Sequence, residues 1–158
     1  FEDYIIKLKD NLARKPKGND RDQIKAIYSG VCDLSIGNHY YYFKMMDDPN
    51  QTIWLEDVSP IFPNQDSYGS HVNISGIAII SDKNYEASLD FLEFLLSDEA
   101  QKIYANDNNE FPVNPNVAPS ERVQKLANNA KFDSLDLQEI ASNRKAVLDI
   151  LQKINYDG

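Results

Sequence analysis

The chain has 158 residues, 42% of them hydrophobic and 26% charged, with a formal net charge of −9 and a pI near 4.6. That composition belongs to a globular protein able to bury a core, and no apolar run approaches the roughly 18 residues that a membrane-spanning helix requires. The excess of acid disfavours nucleic-acid partners; it suits a cation, but acidity also serves solubility alone.

Residues 1–15 read as a helix, because Tyr4, Ile5, Leu8 and Leu12 recur at helical spacing before Pro16 and Gly18 interrupt the pattern. Asp20, followed three residues later by Gln23, predicts a capped start for the next helix. Its apolar side is Ile24, Ile27 and Tyr28, and Gly30 ends it. Cys32–Ile36 reads as a buried strand, with the single cysteine as a small hydrophobe that has no partner for an internal disulfide. Gly37-Asn38 then turns the chain into a helix over His39–Met46, closed by the loop signal Asp47-Asp48-Pro49-Asn50.

Residues 53–62 are predicted as a strand and Val72–Ile80 as another, interrupted at Ser75-Gly76. Asn84–Leu96 is the clearest helix, with Leu89, Leu92, Leu95 and Leu96 on one side. Ser97 caps a following helix to about Asn106, where Asp98 and Glu99 suit the positive end of the helix dipole. A proline-rich loop over 108–119 leads to helical stretches at 120–128, 135–141 and 142–154. Strands alternating with helices, then helices alone, predict an α/β layered fold. So much terminal helix on one small sheet fits a chain whose other half lies elsewhere, as does an opening at Phe1 that enters directly into helical pattern.

The unusual stretch is Asn38-His39-Tyr40-Tyr41-Tyr42-Phe43. Consecutive rings spread around a helix axis at about 100° per residue, and a strand would send Tyr40 and Tyr41 to opposite faces. A turn, or the first residues of a helix, is where two adjacent tyrosines can converge. Convergent phenols suit ferric iron, a hard cation that prefers anionic oxygen and can displace phenolic protons that otherwise leave near pH 10. The same rings also suit a packed core or a platform on which a sugar stacks. His39 reads as a helix-start residue. Asp47-Asp48 and Asp98-Glu99 make a paired-carboxylate hydrolase conceivable, but they read better as a loop and a helix start. HExxH, CxxC and GxSxG are absent, and no nucleophile–base–orienter set is visible.

Several separated stretches together resemble the ferric-binding proteins of bacterial ABC iron-uptake systems. These are 11–23, 25–34 and the Gly37–Tyr42 run, followed in the same order by Ile74-Ser75-Gly76-Ile77-Ala78, by 94–102, and by Asn109-Glu110-Phe111-Pro112-Val113-Asn114-Pro115. The resemblance spans nearly the whole chain and implies the C-terminal half of a two-lobed periplasmic-binding-protein fold of type II, transferrin-like. It implies that residues 1–70 belong to the second lobe and carry the tyrosine motif. Residues 71–120 would return to the first lobe, and residues 121–158 would be helices packing back on the second. Tyr40 and Tyr41 fall on the family's iron ligands, Tyr42 on a supporting neighbour, and Asn38, more weakly Asn19, on positions that contact a synergistic anion such as carbonate in some members.

The function implied is a periplasmic substrate-binding protein, not an enzyme, that delivers Fe3+ to an inner-membrane ABC permease. The remaining ligands would come from the missing N-terminal half. The alternative keeps the fold and changes the ligand to a sugar, polyamine or phosphorylated compound. Ser75-Gly76 reads as an interlobe crossing, with a ligand contact as the alternative; Glu110 reads as a surface residue from its loop position, with pairing to a cation or a helix cap as alternatives. The letters Asn73-Ile74-Ser75 match a glycosylation sequon by chance.

Overall fold

The computed structural model describes residues 1–156. Among the described residues seven α-helices follow one another: α1 (Glu2–Asp10), α2 (Asp20–Tyr28), α3 (His39–Met46), α4 (Tyr85–Leu96), α5 (Asp98–Asp107), α6 (Glu121–Leu126) and α7 (Leu137–Lys153). A single 3₁₀ turn at Thr52–Leu55 lies between α3 and α4. The two stretches expected at 135–141 and 142–154 are one continuous helix, α7, whose start is capped by Asp136 on the backbone N–H of Gln138.

Local chemistry sets most of these boundaries. The cap of α2 is Asn19, one residue ahead of the expected start. Its side chain accepts from the backbone N–H of Asp22, and the Asp22 carboxylate accepts from the backbone N–H of Asn19. Gln23, which the sequence suggested as the closing residue, instead donates to the carbonyls of Lys17 and Asn19. Gly30 takes φ +68 just beyond α2, where an L side chain would be strained. Ser97 caps α5 as expected, accepting from the N–H of Ala100. α1 is shorter than its apolar pattern and stops at Asp10.

The three expected strands do not form. Among the described residues the only sheet-like pairing is an isolated parallel bridge between Ser70 and Phe132. Residues 53–62 hold the 3₁₀ turn, while 32–36 and 72–80 lie without a ladder. The reason is physical: a strand is stable only when a neighbour takes its N–H and C=O groups and its side chains are covered. Neither condition is met here, for Ile36 is 87% and Ile80 96% exposed. Cys32 is accordingly only half-buried.

The core is small and lies elsewhere. Ala26 of α2, Phe43 and Met45 of α3, Ala100 and Ala105 of α5, Val117 and Val123 are buried. α2, α3 and the 3₁₀ turn pack on one another, and α4 packs on α5 as a hairpin. Later chain returns to earlier chain at several points. Arg122 grips Asp47 at 2.8 and 2.9 Å, Lys153 pairs with Glu2 at 2.7 Å, and Lys9 donates to the Ile154 carbonyl. Gln65 donates to the Lys131 carbonyl while its own side-chain oxygen accepts from the Lys131 N–H. Beside this clasp Gly69 adopts φ +94, and a Cβ there would stand 2.6 Å from the Lys131 carbonyl oxygen. No helix among the described residues is long and apolar enough to cross a membrane.

Candidate metal site

The tyrosine run forms the first turn of α3, as the Gly37-Asn38 signal requires. Asn38 is extended (φ −80, ψ 132), and its backbone N–H donates to the Asp20 carboxylate at 2.9 Å. A Cβ at Gly37 would stand 3.0 Å from the same oxygen, which would have to give by a few tenths of an ångström. Asp20 thus seats the start of α3 against the start of α2.

At that start Tyr40 and Tyr41 converge. Their ring centroids are 4.6 Å apart with planes tilted by 41°. The Tyr40 hydroxyl is pushed up to about 12, first by burial, then by a hydrogen bond with Tyr41, and further by the negative charges that Tyr41, Glu110 and Asp20 can carry. These carboxylates make an uncompensated phenolate unfavourable and a cation favourable at the same point. On the other side, the Arg21 guanidinium stands 6.0 Å from the Tyr41 ring centroid. Tyr42 packs edge to face with Phe43, ring centroids 5.7 Å apart.

His39 faces a different environment. Its Nε2 lies 2.8 Å from the carbonyl oxygen of Asn109, and its ring sits among Tyr40, Phe43, Phe62 and Phe111. Burial lowers its pKa, outweighing the carbonyl contact and Glu110, which raise it. A neutral imidazole donating to a backbone carbonyl is a structural pin. Phe132 closes the same aromatic cluster, 5.2 Å from Phe62 and 5.6 Å from Phe111.

The two asparagines differ. Asn19 is engaged in the α2 capping box. Asn38 makes no side-chain cap to its own helix, and its Oδ1 accepts from Asn73 Nδ2 at 2.9 Å. The sequence reading did not find Asp20, Arg21 or Asn73 as neighbours of the site. Nothing in their spacing marks them, and Asn73 stood out only as part of a sequon. Among the described residues no three His, Cys, Asp or Glu side chains gather as a metal cage. Two phenol oxygens can supply two anionic hard donors, and a six-coordinate ion would need the rest from outside this chain.

The model of the bacterial extracellular solute-binding proteins matches residues 3–131. The chain belongs to that family. Among curated relatives, it is 41% identical over 158 residues to "Iron uptake protein A2" of Synechocystis, an alignment covering 97% of this chain and 45% of the relative. It is 38% identical over 133 residues to "Iron uptake protein A1" of the same organism, covering 82% and 37%. The apo ferric ion-binding protein A of Pasteurella haemolytica superposes with a TM-score of 0.93 at 41% identity, over 99% of this chain and 49% of that one. A Trichodesmium protein solved with iron and citrate superposes with a TM-score of 0.78 at 35% identity, over 92% and 47%.

The backbone is therefore that of the α/β periplasmic-binding-protein type II fold, even though its strands are unpaired here. The chain spans about half the length of the relatives and solved structures it matches. The family that matches is described as extracellular.

Proposed function

We propose that this chain is the C-terminal half of a two-lobed periplasmic protein that binds Fe3+ between its lobes and passes it to an inner-membrane ABC permease. The observation that carries the reading is the convergence of Tyr40 and Tyr41 at the start of α3, rings 4.6 Å apart and hydroxyls hydrogen-bonded. Ferric iron would displace both phenolic protons and bind the two phenolates. The names of the relatives, iron uptake and ferric ion-binding proteins, support the same cargo over a sugar, polyamine or phosphorylated compound. The role is capture and delivery, and no bond of the cargo is broken.

In this reading residues 1–70 belong to the second lobe, 71–120 return to the first, and 121–158 pack back on the second. The contacts Arg122–Asp47, Lys153–Glu2 and Gln65–Lys131 support the last assignment. The exposed apolar side chains of 72–96, including Ile80 and Phe91, support a missing N-terminal half that covers them and brings the remaining iron ligands. Asn38 is the better placed of the two asparagines to meet a synergistic anion, because Asn19 already caps α2. A relative that holds citrate with its iron makes an oxyanion partner chemically reasonable. Tyr42 supports α3 from the Phe43 side. Lobe opening, proton return to the phenolates, or reduction to Fe2+ would each release the metal.

The test uses the full-length two-lobed protein that carries this chain. Fe3+ addition should give a phenolate-to-iron visible band. Tyr40→Phe and Tyr41→Phe should each shift or remove it and weaken affinity by more than the roughly 10- to 100-fold typical of losing an outer-shell partner. An unchanged band and affinity in both variants would overturn the assignment.

A further inference from the structure

The first turn of α2 holds one residue of the wrong sign for its place. Asn19 caps the helix, and Asp20 and Asp22 bring negative charge to its positive end, but Arg21 between them brings a cation, which the helix dipole disfavours. None of the ion pairs among the described residues includes Arg21. Asp48 is a charged neighbour; its carboxyl is held below the ordinary value first by the Gln51 side chain and more weakly by Arg21. The Arg21 side chain is half-buried, and its guanidinium carbon lies over the Tyr41 ring, 6.0 Å from the centroid.

Tyr40 has the opposite surroundings. The Asp20 carboxylate is fixed at the head of α3 by the Asn38 N–H. Glu110 stands between Asn109 and Phe111, both of which touch His39, the residue before Tyr40. The negative charges of both carboxylates bear on the Tyr40 hydroxyl. Carboxylates flank one phenol and a guanidinium covers the other, although the two ring centroids are 4.6 Å apart.

The difference matters for a bound metal. A phenolate gives more electron density to Fe3+ when its own charge is poorly stabilised by its neighbours. Carboxylates beside Tyr40 raise the energy of its electrons, and the cation over Tyr41 lowers theirs. A metal bonded to the Tyr41 oxygen sits beyond the edge of the ring. A guanidinium over the ring face therefore acts on the ring more than on the metal.

We propose that Arg21 is a positioning residue of the iron site that acts through Tyr41: it holds that ring by a cation–π contact and weakens its phenolate as a donor, so that Tyr40 is the stronger ligand of the pair. The inference rests on the ferric-iron reading. It adds a residue from α2, outside the tyrosine motif, and an order of strength between two ligands that the sequence presents as equals.

The experiment uses the full-length protein carrying this chain, with Fe3+ as the probe, and reads the phenolate-to-iron band and the iron affinity. Arg21→Met keeps the length of the side chain and removes its charge. The band should move to longer wavelength, because the electrons of the Tyr41 ring are then held less tightly. Arg21→Lys keeps the charge and should stay near the parent wavelength. Tyr40→Phe should lose about tenfold more affinity than Tyr41→Phe, the scale of one screened unit-charge contact near a protein surface. That gap should narrow when both tyrosine variants are measured in an Arg21→Met background, since Arg21 is coupled to Tyr41.

A band that Arg21→Met leaves in place or moves to shorter wavelength overturns the inference while leaving the ferric reading intact. So does an Arg21→Lys variant that follows Arg21→Met, or an equal loss of affinity in the two tyrosine variants. Loss of the band itself in Arg21→Met would assign Arg21 to general support of α2 and α3 and equally overturn it. A parent with no iron band overturns the ferric reading and this inference with it.

Discussion

Two stretches of similar apolar content have opposite fates in this chain. Around α3, the aromatic and aliphatic side chains find one another: Phe43 and Met45 are buried, and His39, Phe62, Phe111 and Phe132 close a ring cluster. Over 72–96, Ile74, Ile77, Ile80, Phe91, Phe94 and Leu96 remain exposed. A shallow apolar groove runs between Ile77–Ile80 and the Phe91-Leu92 side of α4. Apolar composition alone does not make a core; what decides is whether the covering element belongs to the same chain. The tyrosine helix is held by contacts internal to the chain, whereas the apolar side chains of 72–96 stay exposed.

The sharpest way to break this contrast is at the bottom of the packed region. Met45 is fully buried, and Met45→Ala should cost about 2–5 kcal/mol in chemical denaturation, the usual range for emptying such a site. A cost near zero would mean that the α3 core is no better packed than the groove. Next comes Gly69→Ala, which combines a left-handed backbone with a 2.6 Å approach to the Lys131 carbonyl. It should cost about 1–3 kcal/mol, with the 65–70 stretch losing hydrogen-exchange protection first.

A smaller, pH-dependent effect should come from His39. Burial lowers its folded-state pKa below the ordinary 6.5, so the unfolded chain binds the proton more readily. The stabilisation is present in full above the ordinary value and is lost as pH falls through it toward the lowered one. The denaturation midpoint should drop on acidification across that window, and the His39→Phe variant should lose that component. The smallest effect should be Ile80→Ser, within about 0.5 kcal/mol in this chain because the side chain is already in water. In the full-length protein the same change should cost more, and equality of the two values would remove the case for a covering half.

The legible and illegible parts of the sequence follow the same division. Helices α2, α5 and the stretch Tyr85–Leu96 were readable because caps and apolar spacing act within a few residues, although the true α2 cap is Asn19 and not Asp20. The stretches 32–36 and 72–80 read as strands from side-chain type, but a ladder needs two segments, and no partner strand pairs with either among the described residues. The Tyr40-Tyr41 pair was readable as a candidate because adjacency and a turn signal are local. Its surroundings were not. The Asn109 carbonyl that pins His39 is 70 residues away, and the Asn73 amide that donates to Asn38 is 35 residues away.

The clasp between Gln65 and Lys131 has a kinetic consequence. It joins positions 66 residues apart, enclosing the whole α4–α5 hairpin. Shutting so large a loop restricts the chain before any contact repays it, whereas α4 and α5 meet across a single serine. The hairpin should therefore assemble early and the clasp late, leaving the junction near residue 70 as the last seam to knit and the first to come undone.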